Sequence, residues 1–418
     1  MRRLTLCLLA VAAVALTGCE KKPGTGGDLP PANSTQAGAQ TAANAQAGKE
    51  EKPSTDGSGS GATPTGGDVI WIGEVGSLTG PEATFGISTR DGIALAVKQE
   101  NEKGGVKGRQ LAVRLYDDQS KPEEAANAAT RLITQDKVHV ILGEVASTNS
   151  LAMAPRAQGA KVPMITPSST NPKVTEVGDY IFRVCFIDPF QGLAMAKFAT
   201  ENLKVKRAAV LKDQKSDYSL GLTEVFSAKF TEFGGTIVAT EAYSKGDTDF
   251  RAQLTAIKRH KPEALYVPGY YTDVGVIARQ ARELGLRTIM LGGDGWESPT
   301  LFELGGSALE GAYYTNHYSS QDPSPQVQQF IADYKKAYGA VPDSLAALGY
   351  DAAKVAIEAM RRAPELTGPA IRDEIAKTKD HPGAAGTISL DEKRNAVKPA
   401  VVLKVVGNST EFVTTVAP

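Results

Sequence analysis

The chain has 418 residues, more than one hydrophobic core usually serves, so at least two domains are expected. Its 46 Lys and Arg against 47 Asp and Glu give a formal net charge of −1, spread without a long run of one sign, which argues against nucleic acid or another polyanion as partner. The 3 cysteines cannot supply a disulfide framework, and the 4 histidines, at positions 139, 260, 317 and 381, show no metal-ligand spacing.

The N-terminus reads "MRRLTLCLLAVAAVALTGC": two arginines, an apolar run from Leu4 to Leu16, then small residues ending in Cys19. This is the pattern of a secretory signal, too short for a stable membrane span. "LTGC" resembles the lipobox of bacterial lipoproteins, which implies cleavage after residue 18 and a lipid on Cys19; residues 1–19 are assigned to this signal and lipobox. Cys7 leaves with the signal and only Cys185 remains in the body, in "YIFRVCF", where a buried small hydrophobe is expected. Residues 20–67 are dominated by repeated Gly, Ala, Ser, Thr, Pro, Gln and Lys, with Leu29 as the one large aliphatic residue, a composition that cannot bury a core. They read as a disordered tether with an end-to-end distance of roughly 40 Å. No later stretch of about 18 apolar residues follows, so a lipid would be the sole membrane anchor of an exported protein facing the periplasm or the cell exterior.

From Asp68 onward, short runs rich in Val, Ile and Tyr alternate with segments of helical period. "VIWIGEV", "QLAVRLYDD", "VHVILGE", "VPMITP", "YIFRVC", "AAVLKD", "TIVATEAY", "ALYVPGY", "TIMLGGD", "AYYTNHY" and "AVVLKVV" read as strands. Between two of them, "PEEAANAATRLITQD" places Ala125, Ala129, Leu132 and Ile133 on one helix face. Parallel strands need helical crossovers, so the fold class is α/β, with doubly wound sheets covered on both faces. One sheet would not hold so many units. The segment "RVCFIDPFQG", where Asp188 and Pro189 start a new helix, offers a passage to a second lobe. Irregular residues 314 to 325 and the closing "GTISLDEKRN" offer others. The lobes are therefore expected at 68–187 plus 317–388 and at 188–316 plus 389–418, enclosing a cleft.

In open α/β sheets, ligands sit outside the carboxyl ends of strands. Ser147 opens the helical stretch "STNSLAMAPRAQ", and Ser168, Ser169 and Thr170 follow the strand "MIT". Helix N-termini present unpaired N–H groups and partial positive charge, so a carboxylate placed there accepts hydrogen bonds without an arginine. The plainer alternative is that Ser147 caps its own helix. In "GGDGWES", Asp294 could receive an ammonium group, or could serve as an Asx-turn residue. Tyr218, Tyr270 and Trp296, also at strand ends, offer apolar walls with polar tips, with core packing as the default for each. An anion site on one lobe and a cation site on the other suit a zwitterion, an α-amino acid. No GxxxxGK[ST], GxGxxG or GxSxG occurs, so no nucleotide cofactor, other cofactor or catalytic apparatus is expected.

The motifs "SLTGPEATFG", "NEKGGVKGRQL", "YDD", "MITPSSTNP", "IFRV", "VPGYYTD", "ARQARELGL" and "GTISLDEKRN" together resemble the periplasmic leucine/isoleucine/valine-binding proteins that feed ABC importers, over about residues 69 to 415. The resemblance implies the type I periplasmic binding fold, two Rossmann-like lobes joined by three crossovers, and a monomer that delivers an apolar amino acid to permease transmembrane subunits. It implies that Ser147, Ser168 and Thr170 hold the carboxylate, Ser168 through its backbone, and that Tyr218, Tyr270 and Asp294 surround the ammonium group. Asp294 stands where leucine-type members have glutamate, and Phe85 matches a side-chain pocket aromatic that is tyrosine there. The family's disulfide is absent. Ser169 is expected to face away from the cleft. Rival readings are a sensory lipoprotein, a binder of small amides or urea on the same fold, and an envelope hydrolase using Ser147 or Ser168.

Overall fold

The apolar runs assemble into two large sheets in the computed structural model, which describes residues 69–418. The signal, lipobox and tether expected over residues 1–67 lie outside the described residues. The first sheet takes β1 (Ile70–Gly76), β2 (Leu111–Asp117), β3 (Val140–Leu142), β4 (Met164–Thr166) and β5 (Ile181–Arg183) in the order β2-β1-β3-β4-β5, all parallel. Val140, Ile141 and Leu142 are fully buried, as a strand covered on both faces requires. Helices α1 (Ala83–Glu102), α2 (Pro122–Thr134), α3 (Ser147–Ala160) and the short α4 (Lys173–Glu176) fill the crossovers.

The second sheet is built from β6 (Arg207–Asp213), β7 (Thr236–Tyr243), β8 (Ala264–Tyr266), β9 (Ile289–Gly292) and β10 (Tyr313–Asn316), joined by α5 (Asp188–Lys197), α6 (Asp217–Glu232), α7 (Arg251–Arg259), α8 (Tyr271–Glu283) and α9 (Pro299–Gly305). The chain then returns to the first half as α10 (Pro325–Tyr338), α11 (Ser344–Arg362) and α12 (Gly368–Ala376), followed by the small ribbon β11 (His381–Gly383) and β12 (Gly386–Ile388). It ends in the second half with β13 (Ala400–Val406) and β14 (Ser409–Val416). The second sheet has the order β14-β13-β10-β9-β8-β6-β7, and its last two strands are an antiparallel addition to a parallel core.

Three passages link the halves, as the doubly wound, two-lobed α/β fold class requires. The first runs from Val184 to Ile187 and the second starts at His317. The third leaves later than residue 389. Leu390 bridges Ala396, Arg183 donates its backbone N–H to the Arg394 carbonyl, and the Asn395 side chain accepts from Arg183 Nε at 2.6 Å and Thr175 Oγ1 at 2.9 Å. Residues 390–396 thus cover the open edge of β5 and belong with the first half, because an edge strand left bare would expose unpaired backbone groups. Cys185 in the first passage is fully buried, and burial pushes its thiol up to about 12.

Candidate functional site

Each sheet has one point where strand order reverses, between β1 and β3 in the first and between β6 and β8 in the second. Loops leaving a sheet at such a point diverge to opposite faces and open a crevice. The two crevices face each other. Between them lies a small cavity walled by Phe85, Val145, Ser147, Ser168, Leu345 and Ser344 from one half and by Tyr218, Tyr270, Asp294, Gly295 and His317 from the other side. A larger hollow, lined by residues of 279–289 and 303–311, lies on the outside of the second half and contains none of these groups.

Asp294 follows β9 and is 8% exposed. Its Oδ1 accepts from Gln191 Nε2 and from the Tyr218 hydroxyl, both at 2.8 Å, and its Oδ2 lies 2.9 Å from His317 Nε2. A carboxylate can only accept, so Nε2 carries the imidazole proton. Burial lowers the His317 pKa, Asp294 opposing it, and the ring is therefore neutral near pH 7. The Tyr218 phenol is pushed well above its usual value by burial and then by Asp294, so it stays a donor; its oxygen also accepts the Gly295 N–H at 3.0 Å. These donors orient the carboxylate without neutralising it, which leaves a formal negative charge in a low-dielectric pocket.

The glycines of "GGDG" serve this constellation. A Cβ on Gly293 would come within 2.4 Å of Gln191 Oε1 and 2.6 Å of the Tyr218 hydroxyl, and one on Gly295 within 3.0 Å of the Tyr270 ring. They admit the groups that hold Asp294. Tyr218 and Tyr270 stack at 5.1 Å, and Phe85 meets Tyr270 edge-on at 5.9 Å, closing an aromatic wall.

The opposite end is built from uncharged groups. Ser147 is the first residue of α3, whose N-cap is Ala146, so its hydroxyl does not cap the helix; it accepts the Asn171 N–H at 3.3 Å. Ser168 Oγ reaches the Val145 carbonyl at 3.4 Å, a weak contact. Ser169 does not line the cavity, yet it organises this end. Its buried Oγ contacts the Val145 carbonyl at 2.9 Å, the Glu144 carbonyl at 3.1 Å and Ser150 Oγ at 2.7 Å. The Glu144 carboxyl turns the other way, accepting from the Ala146 N–H at 2.6 Å and the Ser77 N–H at 3.1 Å. The loop that presents Ser147 is thus fixed by buried hydrogen bonds.

At the rim, Lys245 Nζ pairs with the buried Glu82 at 2.8 Å and donates to the Ser120 carbonyl at 3.1 Å. Thr148 Oγ1 accepts the Asp217 N–H at 3.0 Å, Asn171 Nδ2 donates to the Asp217 carbonyl at 2.8 Å, and Thr84 and Ser298 hydroxyls meet at 3.0 Å. Every one of these contacts joins the two halves, so the cleft is closed. Behind the cavity, fully buried Asp188 has its carboxyl pushed up to about 8 by burial, with Asp294 adding to the rise.

Of the residues expected at the site, Ser147, Ser168, Tyr218, Tyr270, Asp294 and Phe85 surround the one cavity. Two do not. Trp296 is fully buried, its indole N–H donating to the Val267 carbonyl at 2.9 Å, and it packs in the core of the second half because a 3₁₀ turn over Asp294–Trp296 swings it inward. Thr170 is buried below the cavity, its carbonyl accepting the Asp188 N–H at 2.9 Å. Sequence reading missed Gln191, His317, Ser344, Val145, Gly295 and Leu345. His317 and Val145 follow strands and could have been found by the strand-end rule; Gln191, inside α5, gave no local signal. Among the described residues no group of His, Cys, Asp and Glu is placed to hold a metal ion, and no helix is long and apolar enough to cross a membrane.

Two clasped α/β halves over a closed cavity, with hydroxyls and a helix N-terminus at one end and a carboxylate at the other, define a two-lobed ligand-binding protein. The family model described as periplasmic binding protein matches residues 69–410, and the chain belongs to that family. It is similar to the Leu/Ile/Val-binding protein BraC3 of Rhizobium johnstonii, with 31% identity over 77% of this chain and 88% of the relative. In structure it is similar to the leucine-binding protein LivK of Thermotoga maritima, with 44% identity, a TM-score of 0.81, and 84% of this chain and 99% of the other covered. It also resembles the branched-chain amino acid transporter substrate-binding protein LivJ of Streptococcus pneumoniae in complex with isoleucine, with 34% identity, a TM-score of 0.78, and 83% and 99% covered.

Proposed function

We propose that this protein is the substrate-binding component of an ABC importer and takes an apolar α-amino acid, in the class of leucine, isoleucine and valine. The observation that carries the reading is the cavity's polarity: Asp294, held by donors at 2.8 to 2.9 Å, lies in the same closed space as Ser147 at the start of α3. An ammonium group pairs with the first and a carboxylate with the hydroxyl and free N–H groups of the second. Phe85, Val145 and Leu345 leave an apolar remainder for a hydrocarbon side chain. The names of the Rhizobium, Thermotoga and Streptococcus relatives support the same class.

The protein acts as a monomer, handing its ligand to permease transmembrane subunits, and is tethered by a lipid on Cys19; palmitate labelling that survives Cys19→Ser would remove the anchor. Calorimetric titration of the purified protein with the twenty amino acids, small amides and urea tests the ligand class. Binding of leucine, isoleucine or valine is expected; binding of amides with no amino acid bound overturns it.

A further inference from the structure

The third passage carries an amine with nothing to hold it. Residues 390–396 are bonded to the first half and β13 starts at Ala400 in the second, so residues 397–399 are the span that must turn when the halves rotate. Val397 is 53% exposed and Pro399 is exposed, but Lys398 between them points inward and is 1% exposed. It is the one buried lysine among the described residues, and its Nζ finds no hydrogen-bond partner there.

The surroundings do not make up for this. Asp351 of α11 attracts Lys398 from beyond hydrogen-bond reach, and its two oxygens already accept the Ala384 N–H at 2.5 Å and the Ala385 N–H at 3.0 Å. The Cys185 thiol of the first passage donates to the Ser169 carbonyl at 3.5 Å. Fully buried Arg183, by contrast, donates to Asn395 Oδ1 at 2.6 Å, the Asn171 carbonyl at 2.8 Å and Thr175 Oγ1 at 3.1 Å. His317 Nδ1 and both Asp188 oxygens also lack partners, yet a neutral ring and a protonated carboxyl leave no charge bare.

A buried ammonium without a partner is costly, and an amine that gives up its proton instead has a lowered pKa, the direction in which burial moves Lys398. In either state the closed form is less favourable than one in which Nζ meets water. A four-carbon stem flanked by exposed residues needs little turning to reach it.

We propose that Lys398 is a spring built into the third passage, an unpaired amine that opposes closure and biases the empty protein toward an open cleft. Any ligand that closes the halves must then offset the burial of this amine. The inference concerns motion of the fold and does not depend on the amino-acid reading.

Spin labels on Glu123→Cys in the first half and Glu224→Cys in the second, both exposed positions, report the separation of the halves in the full chain by pulsed dipolar electron resonance. Cys185 is buried and stays unlabelled. Without ligand, wild type should be mostly open. Lys398→Met and Lys398→Leu should raise the closed-to-open ratio by about 5- to 100-fold, the range for relieving one buried polar group left unpaired. Both variants should unfold at or above the wild-type midpoint, which also reports that they fold. Separations unchanged in both variants, or a wild type already closed without ligand, overturn the assignment. Midpoints well below wild type in both would overturn it too, because the amine would then be held in the closed form. Leucine dissociation in stopped flow should slow by a comparable factor in both variants; a wild type that binds no leucine removes the amino-acid reading and leaves the separations to decide this one.

Discussion

The two halves of the cleft approach the same ligand by different physics. The first half offers Ser147, Ser168 and the N-terminus of α3, groups whose charge is partial and whose positions are fixed by the Ser169 and Glu144 network. The second half offers one full charge, Asp294, held by three side chains. Dipoles spread over several atoms tolerate the loss of one of them; a single formal charge does not. On the proposed reading, a zwitterion would bind by many small terms at one end and by one large term at the other.

The largest expected effect follows from that contrast. Asp294→Ala should lower amino-acid affinity by at least about 100-fold, because a buried ammonium would then face no counter-charge, whereas Ser147→Ala should cost about 10-fold. Calorimetry on both variants decides it, and equal losses would abolish the proposed asymmetry.

Next in size is a stability effect on the side that concentrates carboxyls. Asp188 is pushed up to about 8 and Glu297 to about 7, each mainly by burial, against ordinary values near 4. Across that window the folded protein holds protons that the unfolded chain has released, so stability is fullest at the acid end and falls as pH rises toward 8. The midpoint of thermal unfolding should drop by several degrees between pH 5 and pH 8 in wild type. Asp188→Asn, which cannot release a proton, should flatten the slope; an unchanged slope would mean that Asp188 is ionised in the folded protein.

The smallest effect belongs to the rim. Lys245 is about one-third exposed, so its pair with Glu82 is screened on one side, and Lys245→Met should weaken binding by only about two- to fivefold. The loss should appear as faster dissociation in stopped flow. A loss as large as that of Asp294→Ala would place the main attraction between the halves at the rim and away from the cavity.

Much of this was legible in the chain because parallel α/β sheets put function where short apolar runs end. "VHVIL", "AAVLK" and "TIML" announce β3, β6 and β9, and reading one loop past each reaches Ser147, Tyr218 and Asp294. The same rule misplaces Trp296, since sequence adjacency to Asp294 cannot show that a 3₁₀ turn rotates the indole into the core. It passes over Gln191 and Ser344, which come from helices and reach the cavity only through tertiary packing. The third passage was set near residue 389 because nothing in "SLDEKRN" reveals that Arg394 and Asn395 pair with β5. The glycines around Asp294 carry a similar lesson: nothing in "GGDG" reveals that Gln191 and Tyr218 press against Gly293 so closely that a Cβ would not fit.

His317 holds Asp294 at 2.9 Å and is also the first residue of the second passage, its ring stacked at 3.9 Å on Phe186 of the first. The carboxylate proposed to receive the ligand's ammonium group is thus joined to a segment that links the two halves. Because the cavity takes a wall from each half, a rotation about the passages would part Ser147 from Tyr218 and Asp294 as well as Lys245 from Glu82, so that opening the mouth and releasing the ligand would be one movement.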